Sequence, residues 1–388
     1  MVPRTGSAVS PAFRLANFYF WYFAFIGVFG TYIALYLHAL GYSAGEIALL
    51  MSLQQIVRIV TPFFWGWLAD RLHRRTAIIR ATLVLATASF ALLFVVSGYA
   101  AMSIAFVLMY SFWSAALPLF EASVLTAVDG DSGRYARIRL WGSVGFIVTV
   151  TMAGWVLDRL AMSSLLWMVL AMLVMATVSA WMIPENEPRS TGSVGGQSAM
   201  PILRRPEVMG LFAACFLMMA TQSANFIFYS IFMVENGHSK STVGILWSLG
   251  VIAEIAIFVF LPRINTRFTP QSLFAFSFFV TAFRYLLVAW FPASLTLQLI
   301  AQIGHAFTYG TWHAATMAML HQWFPAQLGA RGQAILASFA FGLGGALGGI
   351  GAGVAWESLG AAWMFTAMSA LMFVAYGISC RWVGAPRL

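Results

Sequence analysis

The sequence predicts an all-α membrane protein of twelve transmembrane helices in two pseudo-symmetric six-helix bundles. Three observations predict it. Of 388 residues, 61% are hydrophobic and only 9% charged, with a mean hydropathy of +0.85, whereas soluble domains are about 45–50% apolar. Apolar runs of about 20 residues, each long enough to cross a hydrocarbon core of about 30 Å as helix, recur twelve times, at roughly 12–38, 45–68, 77–98, 101–125, 138–160, 162–183, 206–234, 242–262, 272–291, 294–320, 332–356 and 360–383. Sliding the chain by 196 positions, the offset of Gly41 from Gly237, lays NGHSKSTVGILWSLGVIAEIAIF on LGYSAGEIALLMSLQQIVRIV. Identities then fall at Gly41/Gly237, Ser43/Ser239, Leu50/Leu246, Ser52/Ser248, Leu53/Leu249, Ile56/Ile252 and Ile59/Ile255. The second half therefore repeats the first.

Orientation follows from the basic residues. Arg4, Arg14, Arg71, Arg74, Arg75, Arg80, Arg134, Arg137, Arg189, Arg204, Arg205, Arg263, Arg267, Arg331, Arg381 and Arg387 lie at one set of loops and ends, and only Arg159 and Lys240 at the other. By the positive-inside rule both termini are expected in the cytoplasm of a multi-pass protein of a bacterial inner membrane. The net charge of +9 reports that topology; the bases are scattered over short loops, which excludes a nucleic-acid partner. The lipid bilayer is the expected surrounding, and the chain is read as a monomer. Cys215 and Cys380 lie in separate apolar spans, so neither a disulfide framework nor a metal cluster is expected, and no cofactor motif is present. The first span, with no small-residue cleavage pattern after it, reads as a retained helix.

The first helix is dense in aromatics from Phe18 to Tyr36, explained mostly by packing and interface preference. Helix two brings Gln54, Gln55, Arg58 and Thr61 onto one stripe. In the repeat register Arg58 falls on Glu254 of helix eight. A guanidinium at mid-membrane costs at least about 2.5–3.5 kcal/mol unless it meets a partner or water. Opposite charges at equivalent buried positions predict two bundles facing a polar pathway, which is the arrangement of a transporter.

The loop after helix two, GWLADRLHRR, resembles the cytoplasmic signature of the major facilitator superfamily, G-x-x-x-D-R-x-G-R-R. Gly66, Asp70, Arg71, Arg74 and Arg75 are in register, and His73 stands where the pattern has glycine. The resemblance implies a gating latch at Asp70, Arg71 and Arg74, whose charge-assisted bonds break as the bundles rock. The equivalent loop of the second half, LPRINTRFT, lacks the acid and the glycine.

In helix four, Glu121 shares a stripe with Tyr110, Trp113, Ser114 and Leu117, and helix five opens RYARIRLWGSVGF. An acid two turns above one helix end and a base at the start of its antiparallel partner suit a half-buried Glu121–Arg139 pair. This segment is similar to the oligosaccharide:proton symporter branch, where an acid and an arginine at these places contact substrate. RLWGSVGF and the helix-eight stretch WSLGVIAEIAIF resemble still more closely the phenylpropionate permease group.

Residues 184–205, rich in Gly, Ser and Pro, read as a flexible cytoplasmic linker between a bundle at 12–183, preceded by a tail at 1–11, and a second at 206–388. Helix seven carries a polar stripe of Gln222, Asn225 and Tyr229 that lipid would not tolerate, and helix nine carries Arg284. In helix ten, His305, Tyr309 and Trp312 share a face, with His313 about 80° from His305 by angular count. Spacing of i, i+8 keeps the two imidazoles from sharing one metal ion. Arg284 and His305 match the symporter branch's helix-nine arginine and helix-ten histidine; that branch's helix-ten acid falls at Thr308, and its helix-eight acid about one turn before Glu254. Helix eleven, FGLGGALGGIGAG, lets neighbours approach closely.

With histidines neutral, Arg58, Arg139 and Arg284 face Glu121 and Glu254. One surplus positive charge suits a monoanion, and the phenylpropionate resemblance implies an aromatic carboxylate taken up with a proton. The expected site is Arg58, Glu121, Arg139, Gln222, Asn225, Glu254, Arg284, His305, Tyr309 and His313. A sugar, nucleoside or siderophore substrate is the alternative within transport, and a non-transporting sensor the alternative outside it. No Ser–His–Asp, metal-ligand or nucleotide-loop pattern points to an enzyme.

Overall fold

The repeat has a physical cause at its first corners. In the computed structural model, which describes residues 10–184 and 198–384, helix one (Pro11–Ala39) and helix seven (Pro206–Glu235) both run into left-handed glycines, Gly41 at φ +90° and Gly237 at φ +89°. Glycine adopts that backbone without penalty. Two residues later a serine caps the next helix. Ser43 and Glu46 exchange bonds as a capping box at the start of helix two (Ala44–Leu72), and the Ser239 hydroxyl accepts the Thr242 N–H at the start of helix eight (Lys240–Ile264). Leu50, Leu246, Ser52 and Ser248, one to two turns on, are all buried. The identities mark turn, cap and packed face.

The remaining helices follow in order: three (Arg75–Ala91, extended by the turn Leu92–Phe94), four (Tyr99–Ala127), five (Ser132–Leu157), six (Ser164–Ala180), nine (Pro270–Trp290) and twelve (Ala361–Ile378). Helix ten is composite: Leu295–Ile303, then a π-helical stretch Ala306–Thr311, then Trp312–Trp323. Helix eleven likewise joins Ala326–Leu336 to Gly345–Leu359 through π-helical Ala337–Gly344. Ten helical segments among the described residues are long and apolar enough to cross a membrane, and Ser164–Ala180 is a shorter apolar helix. Together with composite helix ten these agree with twelve crossings. Pro206 and Pro270 open their helices at the first turn, where no N–H is needed, while Pro62, Pro118 and Pro262 lie within helices two, four and eight.

Two expectations change here. Within the expected linker, Met200–Leu203 forms a helical turn with Ile202 buried; most of that linker, with Arg4, Arg189, Arg387 and most of the N-terminal tail, lies outside the described residues. Arg58 is exposed, not buried. Its neighbours Gln55 and Ile59 take the face of helix two that packs on Gly345 and Gly342 of helix eleven, which turns residue 58 away from that seam.

By contacts the chain forms two compact units, each with its own core. Unit one comprises residues to 29, 60–149 and 163–190; unit two comprises 30–59, 150–162 and the remainder from 191. Unit one is built on Phe18, Tyr19, Phe25, Phe90, Phe106, Tyr110 and Phe120, and unit two on Tyr229, Tyr285, Phe274, Phe278 and Trp312, all buried.

Candidate functional site

In unit one the site is built where helix five lies close on helix one. A methyl group at Gly145 would overlap the Phe20 backbone, and Thr149 donates to the carbonyls of Ala24 (3.1 Å) and Gly145 (2.8 Å). That proximity lays the Arg139 guanidinium over Phe23 at 4.0 Å and near the Tyr19 ring at 5.4 Å. Across it, Glu121 places Oε1 4.0 Å from Arg139 Nε, with side chains 36% and 32% exposed. This is a loose ion pair reachable by water. Tyr22 stacks on Trp113 (4.0 Å) and Phe25 meets it tilted by 49° (4.1 Å), so these aromatics of helix one pack against helix four. Thr61 and Ser114 hydrogen-bond at one edge of this wall.

At the cytoplasmic-signature loop the acid pairs with Arg75, whose Nη2 lies 3.3 Å from Asp70 Oδ1. Arg71 sits over Trp67 at 5.4 Å, and Arg74 precedes the first turn of helix three. His73 is forced to φ +53°, the left-handed region, where the family pattern has glycine. Arg80, read from sequence only as a topology charge, donates to the carbonyls of Ala180 (3.2 Å) and Ile183 (3.3 Å) and so ties off the end of helix six.

Unit two holds a larger polar cluster on helices seven, nine and ten. Gln222, Asn225 and Tyr229 are fully buried on one stripe. The Tyr285 hydroxyl donates to Gln222 Oε1 (2.9 Å), and the Tyr229 hydroxyl lies 3.4 Å from Gln298 Oε1. Arg284 is 2% exposed; its Nε donates to the Ala301 carbonyl at 2.9 Å, and neither terminal nitrogen has a hydrogen-bond partner. Among the described residues no carboxylate pairs with it. Partners are also missing for Gln222 Nε2, both side-chain polar atoms of Asn225, Gln302 Nε2, Trp312 Nε1 and the Nδ1 atoms of His305 and His313. Buried polar atoms without protein partners call for water, an ion or a ligand.

Helix ten departs from its α-helical angular count. The π-helical stretch carries His305, Tyr309 and His313 into one ladder, with rings 6.4 and 5.9 Å apart and tilted by 17° and 2°. Glu254, half-buried on helix eight, lies against Gly310 of that stretch, where any added side chain would meet its Cγ. Gln298 and Gln302 belong to this cluster and went unnoticed in sequence; their spacing of four on the amphipathic first part of helix ten was the available signal.

A second feature of unit two lies at the ends opposite the arginine-rich loops. Asp158, just past helix five, accepts the Lys240 N–H (2.8 Å) and the Ser241 N–H (3.0 Å) at the start of helix eight. Glu357, near the end of helix eleven, accepts the Gly45 N–H (2.8 Å) at the start of helix two. Each acid completes the orphan donors of a helix N-terminus. The two are repeat-related, since helices two and eight correspond. Beside the first, the Tyr32 hydroxyl lies 3.0 Å from the carbonyls of both Val150 and Lys240. Partial burial pushes the Asp158 pKa up, but the bonds from Ser241 and Lys240 outweigh it and hold the carboxyl below its usual range.

Known proteins resemble the chain as a whole. A maltose permease of Geobacillus stearothermophilus is 27% identical over 308 residues, 78% of this chain and 78% of that one. A probable 3-phenylpropionic acid transporter of Escherichia coli (strain K12) is 27% identical over 313 residues, 78% of this chain and 80% of that one. Among solved structures, the nucleoside transporter NupG superposes with a TM-score of 0.84 at 17% identity, covering 97% of this chain and 100% of that one. A bacterial homologue of the lysosomal transporter Spinster superposes at 0.72, 13% identical, covering 95% of each chain. The profile of the MFS_1 like family matches residues 12–367, so the chain belongs to that family and is a multi-pass membrane transporter of the major facilitator type.

Proposed function

We propose that this protein is a proton-coupled symporter of a bacterial inner membrane, importing a small aromatic carboxylate by alternating access, with both termini cytoplasmic. The observation that carries the reading is the imbalance of ionised groups within the helices. Counted among the described residues, Arg58, Arg139 and Arg284 outnumber Glu121 and Glu254, and of these three arginines Arg139 has a carboxylate in place, at 4.0 Å. A monoanion supplies the missing charge. The 27% identical transporter named for 3-phenylpropionic acid supports the same class.

Coupling follows from the looseness of the Glu121–Arg139 pair. Protonation of Glu121 removes the counter-charge of Arg139 and changes its grip on anything nearby. Glu254, against Gly310 of helix ten, is the second candidate for proton carrier. Uptake into inside-out and right-side-out vesicles under an imposed proton gradient tests the reading: accumulation of 3-phenylpropionate driven by the gradient supports it, and gradient-independent equilibration overturns coupling.

A neutral sugar or nucleoside is the second reading. The buried amides of Gln222, Asn225 and Gln302 offer the donors and acceptors that hydroxyl groups need, and the maltose permease is equally similar in sequence. Competition of uptake by maltose and uridine separates the two.

A further inference from the structure

We infer that Arg284, rather than Arg139 or Arg58, is the group that receives the carboxylate of the substrate, within the buried polar cluster of unit two that also holds Gln302 and Asn225. The inference rests on the carboxylate reading above and adds to it the location of the anion.

The three guanidinium groups of the expected site differ in what they have left to offer. Arg139 is balanced by Glu121 and covered on its faces by Phe23 and Tyr19. Arg58 is exposed. Arg284 alone is buried, and it is anchored by its Nε bond to Ala301, with its Cδ where a methyl group added at Gly304 would come within 3.7 Å. That anchoring leaves the two terminal nitrogens, the parallel fork that matches a carboxylate, without partners. A buried cation with no counter-ion is a costly arrangement, and an arriving carboxylate is what removes the cost.

The surroundings complete the chemistry. Gln302 follows Ala301 in the chain, so its unpartnered Nε2 enters from the same turn of helix ten. Asn225 shares its stripe with Gln222 and Tyr229, and neither of its polar atoms is engaged. The Tyr285 ring lies 5.5 Å from the guanidinium carbon, and the ladder that begins at His305 on the same helix supplies flat surfaces for an aromatic body. A π-helical stretch follows directly, a feature found frequently at functional sites.

The test uses purified full-length protein and a ligand pair of equal shape, 3-phenylpropionate and its neutral amide, with maltose and uridine as further probes, read by thermal shift and equilibrium binding. Wild-type protein is expected to bind the acid at least ten-fold more tightly than the amide. In Arg284→Gln that preference disappears, while the ligand-free Tm stays at or above that of wild type, because an uncompensated buried charge has been removed. A merely structural arginine would lower the Tm and leave the preference intact. Arg284→Lys keeps the charge without the fork and serves where Arg284→Gln does not purify; it is expected to lose most of the preference. Equal binding of acid and amide by wild type, or a preference that survives in both variants, or one that vanishes in Arg139→Gln instead, overturns the assignment while leaving carboxylate transport standing. Binding of maltose or uridine with no binding of the acid overturns the carboxylate reading itself.

Discussion

His73 shows at the scale of one residue how the fold constrains the chain. A side chain at φ +53° costs roughly 1 kcal/mol, which glycine avoids. His73→Gly is therefore expected to raise the Tm by about 1–2 °C, the gain being reduced by glycine's greater freedom in the unfolded chain; a lowered Tm would show that the imidazole makes a compensating contact. Single residues were also where sequence was most and least informative. Glu121 and Arg139 were legible as a pair because helix periodicity and a short loop leave few other arrangements. The exposure of Arg58 was not legible, since a stripe on a helical wheel says which residues share a face and nothing about which face the next helix covers. Arg80 looked like any topology charge until helix six ended beside it.

At the scale of elements, the glycine seam of helix eleven and the paired acid caps are the features that bear on movement. A methyl group at Gly348 would collide with the Ala220 backbone of helix seven, and one at Gly345 would meet Gln55 at 3.0 Å. Gly348→Val is expected to cost at least about 2 kcal/mol and to reduce yield of folded protein, by forced separation of packed backbones. The caps predict a different readout. In a background of Cys380→Ser, with Cys215 buried, a cysteine at Thr151 reports opening between helices five and eight. Asp158→Asn with Glu357→Gln is expected to speed its alkylation several-fold, and an unchanged rate would show that the caps restrain nothing. A carboxyl held below its ordinary value keeps its N–H partners at any pH above about 4 and releases them only as the pH falls through the lowered value. The ratio of the cysteine's alkylation rate to that of a free thiol should accordingly be flat from about pH 5 to 8 in the unsubstituted caps, since the thiolate fraction rises with pH in both. The π-helical stretch of helix ten had no sequence signature; no proline marks it, and tertiary packing decides whether the backbone bonds i→i+4 or i→i+5.

For the molecule as a whole, composition and the offset repeat were enough for the fold, because a bilayer admits few ways to bury backbone polar groups and a duplicated bundle repeats its turns and caps. Substrate identity was not readable in the same way. It depends on which polar atoms are left without partners after packing, and only coordinates reveal that for Arg284, Asn225 and Gln302. Coupling is likewise a property of the complete cycle. Glu254→Gln is expected to abolish accumulation against a gradient while counterflow exchange is partly retained; normal accumulation would remove Glu254 as a proton carrier. Glu121→Gln tests the other proposed carrier in the same assay, and loss of accumulation in one variant only would assign the proposed proton to that acid.

The amides held by Asp158 and Glu357 are ones that water would serve nearly as well once the helix ends part. Undoing either contact exchanges one solvation for another, so these two caps by themselves contribute little to the free energy of keeping the helix ends together. Where so little opposes parting, a modest preference of cargo for the parted arrangement is sufficient to shift the balance at these ends.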